Sequence, residues 1–182
     1  VRHDVMSHVY AYGVQCPSAK GIIHLGATSC FIADNTELVQ MKESLLLIKQ
    51  KLLRTMKHLS LFCETYKDLP TLGFTHYQPA QLVTVGKRAA LWLQDFLLDF
   101  HLLEHLLENL PLRGIKGTTG TQASFLELFN HNHDKVKRLD AIIASKLGFK
   151  RTVPLSGQTY TRKLDYQILS LLSQIAQSAY KM

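Results

Sequence analysis

His76 lies in the stretch TLGFTHYQPAQ, residues 71–81, among hydroxyls, amides, an aromatic ring and a proline. Imidazole titrates near neutral pH, so a histidine there can lend or take a proton in a transition state. Thr75 and Gln78 can fix its tautomer or bind a carboxylate, and Pro79 stiffens the loop. The plain alternative is a histidine hydrogen-bonded in a loop that only joins two helices. Chemistry alone leaves both open.

Arg2, His3 and Asp4 are a second candidate. They can form an anion site in which Asp4 orients His3, but surface or capping residues are the simpler reading. Half of a metal site is a weaker reading still, because zinc-type sites need further ligands at suitable spacing. His8 is five residues on, off the i, i+4 face, and His131 and His133 lie in a separate helix-start loop. The sequence therefore points to no metal. GATS (residues 26–29) and GTTGT (117–121) can offer backbone N–H groups and hydroxyls to an anion at a helix start. Neither is a P-loop, since no GxxxxGK[ST] occurs, and turn or cap roles are the simpler reading of either loop alone. SGQTYTRK (156–163) has the same ambiguity: Ser156 and Thr159 can cap the last helix, with Arg162 and Lys163 solvated. No spacing suggests a covalent nucleophile.

These loops need elements to hold them. From Asp34 to about Lys67, Leu38, Met41, Leu45, Ile48, Leu52, Met56, Leu59 and Phe62 recur at threes and fours. Asp34 and Glu37 read as a D-x-x-E capping box that starts this helix, which would be roughly 50 Å long at 1.5 Å per residue. A second long helix runs from about Leu82 to Leu110, apolar on several faces, and stops at Pro111. One chain can hardly bury both rods, which predicts an oligomer. A shorter helix covers about Asp134 to Leu147, and a last one starts near Thr161. Short extended pieces are conceivable only around Leu72–Phe74 and Thr152–Leu155. The fold class is all-α: an elongated long-helix bundle with loops at the rod ends.

At 182 residues and 46% hydrophobic content the chain reads as one soluble globular domain. VRHDVMSHVYAYG has an amphipathic helical pattern rather than that of a secretory signal, and lysines interrupt LLLIKQKLL too soon for a membrane span. Three separated cysteines, never in a CxxC pair, suit a reducing compartment. The net charge of +7 favours anionic partners. The cations are dispersed through helices rather than clustered with aromatics, which leaves nucleic acid unsupported; a small phosphate- or carboxylate-bearing substrate fits the charge equally well, and charge alone does not decide. A chain that starts at Val1 and ends mid-helix is expected to be a fragment of a longer protein.

Together, RHDVMSHV, GIIHLGATSCFIADNT, LPTLGFTHYQPAQLVTVGKR, RGIKGTTGTQASF and GFKR…SGQTYTRK resemble the central part of the adenylosuccinate lyase family, eukaryotic type, within the fumarase/aspartase superfamily. The THxQPAQ loop is shared loosely across that superfamily, whereas RHDVM and GQTYTRK are more specific. The resemblance implies a cytoplasmic homotetramer on a helical core, with each active site built from three subunits. It implies β-elimination of fumarate from a succinylated nucleotide without metal or organic cofactor. It puts His76 at the general acid's position, and Arg2, His3, Asp4, Thr28, Ser29 and Gln158 at substrate-binding positions. Thr75 and residues 116–121 would line the site. The family's general base, a serine in a signature like SSxMPxKxN, has no counterpart here, so the chain alone is expected to be inactive. Rival readings are another lyase of the superfamily and a helical structural protein that kept the fold and lost the chemistry.

Overall fold

The computed structural model describes residues 2–182. In chain order the helices are α1 (Asp4–Gln15), α2 (Ser29–Thr65), α3 (Val85–Asn109), α4 (Ala123–Leu128), α5 (His133–Lys146) and α6 (Lys163–Lys181). Two strands, β1 (Pro70–Thr75) and β2 (Gln78–Thr84), form a hairpin between α2 and α3. The all-α expectation holds, with this one small sheet added. No helix among the described residues is long and apolar enough to cross a membrane.

The chain forms two compact units. One comprises the residues up to Lys42 with Leu110–Arg162, the other Glu43–Asn109 with Lys163–Met182. In the first unit Ile115, Phe125 and Val136 are buried together, with Phe31, Leu126 and Ile143 packed around them. Asn132 caps α5 by accepting from the Lys135 N–H at 3.0 Å, and the chain leaves that helix through Gly148 at φ 75°. Of the extended piece expected around Thr152–Leu155, only a single parallel bridge between Thr152 and Leu112 forms.

In the second unit the α2 stripe buries Leu45 and Leu52, and the α3 stripe buries Ala89, Phe96 and Leu103. α6 packs on α3, with Ile168 and Leu171 its buried residues, and Ser178 donates to Asp99 at 2.7 Å. Burial pushes the Asp99 carboxyl up; the Ser178 bond acts against that, and Asp95 adds to it. The other side of α3 leaves Leu91, Leu97 and Leu98 exposed, as its many-sided apolar pattern foretold.

Two boundaries differ from the sequence reading, each for a physical reason. α2 begins at Ser29, so Asp34 lies inside the helix, 2% exposed, and cannot cap it. The D-x-x-E spacing also places two carboxylates on one face of a continuing helix, and that arrangement is the one realised. α3 begins at Val85 rather than Leu82, because Gln78–Thr84 pair with β1 from Thr75↔Gln78 to Pro70↔Thr84. Thr84 then caps α3, its hydroxyl accepting from the Lys87 N–H at 3.1 Å.

Gly86 allows the first turn of α3 to lie against the end of α2, where its N–H donates to the Tyr66 carbonyl at 2.8 Å. A methyl group there would run into the Cys63 carbonyl oxygen and sit 2.7 Å from the Lys67 Cα. Backbone cannot swing aside as a side chain can. Gly86→Ala is therefore expected to cost about 1–3 kcal/mol in denaturant unfolding.

Candidate functional site

The hairpin settles what kind of connector residues 71–81 form. Thr75 and Gln78 are the last paired residues, so His76 and Tyr77 make a two-residue turn, with φ of 51° and 59°. Consecutive positive φ values belong to the type I′ turn, which matches the twist of the flanking strands. Histidine is among the few non-glycine residues that adopt this conformation readily. The strands thus hold an exposed imidazole at the tip, with Tyr77 also fully exposed. Beside the hairpin is a cleft of about 800 Å³ lined by Gly73, Thr75, Gln81, Lys87 and Arg88; His76 does not line it. Arg88 ties α3 to β1 by donating to the Leu72 carbonyl at 3.0 Å.

The first unit brings two other candidates into contact. Thr28 is 5% exposed, immediately before α2, and its hydroxyl accepts from the Gln158 side-chain amide at 3.2 Å. Ser29 is the first residue of α2, half-buried. An amide and two hydroxyls at a helix start offer donors to a carboxylate, and the helix dipole favours the same charge.

Arg2, His3 and Asp4 open α1. His3 is its N-cap, with Nδ1 accepting from the Met6 N–H at 3.4 Å. That ring nitrogen also lies 3.2 Å from the Asp4 carboxylate. The two contacts compete, since Nδ1 accepts from Met6 only without a proton and donates to Asp4 only with one. His3 caps α1, and the Asp4 carboxylate lies within reach of the same ring nitrogen. Among the described residues the triplet makes no hydrogen bond to Thr28, Ser29 or Gln158. Nor does any group of three or more His, Cys, Asp or Glu side chains stand where it could hold a metal ion.

The residues that hold the Gln158 loop take a role that their sequence pattern does not show. Asp34 accepts from the Tyr160 N–H at 2.7 Å and pairs with Arg162 at 3.4 Å; Glu37 takes Arg162 at 3.0 Å. Arg162 is thus engaged while half exposed, and it also stacks on the Tyr160 ring at 4.3 Å. Arg113 and Lys116 are 0% and 5% exposed, and burial lowers the pKa of each. Asn35 exchanges hydrogen bonds with both backbone groups of Gly114, at 3.1 Å each. Asp140 accepts from the Ile115 N–H at 2.7 Å and the Thr152 hydroxyl at 2.6 Å. Two cations within the Gly/Pro-bounded run PLRGIKG were the available signal. Nδ1 of His24 and Oγ of Ser156 are buried with no protein partner among the described residues. Such atoms are costly unless water or a ligand completes them, and His24 belongs to the same HLGATS run as Thr28.

No family model matches the chain. It is 53% identical over 182 residues to the adenylosuccinate lyase of Saccharomyces cerevisiae and 51% over 181 residues to that of Schizosaccharomyces pombe. Each match takes in the whole chain, which spans 38% of the length of each relative. The adenylosuccinate lyase of Archaeoglobus fulgidus is 33% identical over 184 residues. Among solved structures, 3-carboxy-cis,cis-muconate lactonizing enzyme from Pseudomonas putida aligns with 96% of this chain and 38% of its own, at TM-score 0.79 and 26% identity. A fumarate lyase from Mesorhizobium sp. BNC1 aligns with 85% of this chain and 34% of its own, at TM-score 0.73 and 25% identity.

Proposed function

We propose that this chain, homologous from end to end with adenylosuccinate lyases, is the central part of an enzyme that releases fumarate from adenylosuccinate. The observation that carries this reading is the 53% identity maintained over all 182 residues. The reaction is a β-elimination. A base takes the Cβ proton, its electron pair forms the new double bond, and the C–N bond breaks toward nitrogen. AMP and fumarate result. The succinyl-aminoimidazole-carboxamide ribotide of purine nucleotide biosynthesis presents the same succinyl adduct and is the second substrate.

Each step places a demand that residues of this chain can meet. Nitrogen leaves poorly as an anion, so a proton must reach it as the bond breaks; His76 supplies it, for about 10²–10⁴ in rate. Loss of the Cβ proton builds negative charge on the adjacent carboxylate. Thr28, Ser29 and Gln158 donate to the succinyl carboxylates there, and one well-placed donor can contribute about 3–4 kcal/mol. Arg2 and His3 suit the anionic nucleotide, with Asp4 orienting His3, and Thr75 lines the site beside His76. The general base lies outside this chain. The working form is a cytoplasmic homotetramer whose sites draw residues from several subunits. The exposed Leu91, Leu97 and Leu98 on α3 support such an assembly.

The test uses the full-length protein. Incubated with adenylosuccinate it should form AMP and fumarate in equal amounts, with argininosuccinate left intact. Turnover of argininosuccinate, or of neither substrate, sinks the assignment. The 182-residue chain alone should release no fumarate; turnover by it would show that the base lies within these residues.

A further inference from the structure

We propose that Arg113 is a positioning residue for this lyase site. Its buried guanidinium ties the loop of residues 114–121 to that of residues 156–158, and so sets where the Gln158 amide meets Thr28. The inference rests on the lyase reading for its kinetic consequence, but not for the clamp itself.

The guanidinium is fully buried, and every acceptor it uses is a backbone carbonyl. It donates to Gln158 at 2.8 Å and Gly157 at 3.4 Å in one loop. In the other it donates to Gly114 at 3.4 Å, Lys116 at 3.2 Å and Gly117 at 3.2 Å. Five carbonyls around one side chain use the planar fork that distinguishes arginine from lysine. Apolar packing alone would favour a leucine or methionine here, because a buried charge is costly to desolvate. What an apolar side chain cannot do is hold two irregular segments, some forty residues apart in sequence, in one register.

Three further contacts act in the same sense. Lys116 donates to the Arg113 carbonyl at 2.8 Å, closing the turn that carries both cations. Gly120, at φ 80°, lets the first loop lie backbone to backbone on the second, where any side chain would strike the Ser156 carbonyl oxygen. Gln158 passes the constraint on, since its backbone oxygen is held by Arg113 while its amide holds Thr28. The acceptors are neutral, so the charge of Arg113 is not cancelled by a direct ion pair among the described residues. It adds positive potential beneath loops proposed to hold an anionic substrate.

The experiment compares the full-length enzyme with Arg113→Lys, which keeps charge and approximate volume but loses the fork. Amide hydrogen exchange is expected to quicken about tenfold or more in residues 115–121 and 156–160 together, with residues 70–84 unchanged. KM for adenylosuccinate should rise more than kcat falls. Adding Gln158→Ala to Arg113→Lys should cost little beyond the worse single variant, because both act through one contact. Exchange that quickens in only one loop or in neither, or kinetic losses that multiply, overturns the proposal. If the wild-type protein releases no fumarate, the lyase reading fails while the exchange comparison still decides the clamp. If Arg113→Lys does not fold, native-state exchange of the wild type decides. The two loops must open as one unit, and separate opening energies refute the clamp.

Discussion

Replacing His76 by asparagine in the full-length enzyme is expected to lower kcat for fumarate release by about 10²–10⁴-fold. Stability should stay within about 0.5 kcal/mol of wild type, because the side chain is exposed and touches no core. Asparagine is the informative substitution because it adopts positive φ as readily as histidine does. It preserves the turn between β1 and β2 and removes only the proton donor. His76→Ala would confound the two, since alanine fits φ of 51° poorly. Steady-state kinetics with adenylosuccinate, read beside a thermal melt, make the comparison. A kcat within about threefold of wild type, with the melt unchanged, would remove His76 from the proton-donating role.

The largest stability effect is expected at Asp34. Its carboxylate is 2% exposed and accepts from the buried Tyr160 N–H at 2.7 Å while facing Arg162. Asp34→Ala removes the acceptor of the buried Tyr160 N–H and one carboxylate that pairs with Arg162, while the pair of Arg162 with Glu37 stays. Loss of the charge-assisted bond to the buried N–H amounts to about 2–4 kcal/mol. Arg162 is half exposed, so water screens its share and the Tyr160 N–H dominates. Asp34→Asn keeps an acceptor for that N–H and should cost distinctly less. A shift of the urea midpoint at constant slope measures both. Equal costs for Ala and Asn would mean that the charge, rather than the Tyr160 bond, anchors the segment.

The two residues differ in how far they could be read from sequence. His76 stands out in the sequence because its neighbours are chemically suggestive, and it lies exposed at the tip of a hairpin. The element presenting it was not legible. Pro70, Gly73, Gln78, Pro79 and Gln81 are poor strand formers, and the pairing is interrupted by a bulge between Leu72 and Phe74. A segment of that composition becomes a strand only because its partner lies two residues away. At Asp34 the sequence pattern points to a different role from the one the fold gives it. The helical stripe through Leu38, Leu45 and Leu52 was correct, and all three are buried. The spacing to Glu37 reads equally as a helix start, because a capping box and a shared helix face have the same i, i+3 signature.

By itself, then, the sequence determined where the long helices run, which stripes they bury, and which chemical groups lie in the loops. Those are properties of residues three or four apart, and periodicity records them directly. Only the tertiary structure decided which loops meet. Thr28 and Gln158 are 130 residues apart, and Asp34 and the Tyr160 N–H are 126 apart. No local pattern encodes such pairings, because they form only where the packed helices bring the chain back on itself. Arg113 shows the same limit from the other side. As a letter it is a cation in a Gly/Pro-bounded turn, and burial among five carbonyls makes it the tie between two loops.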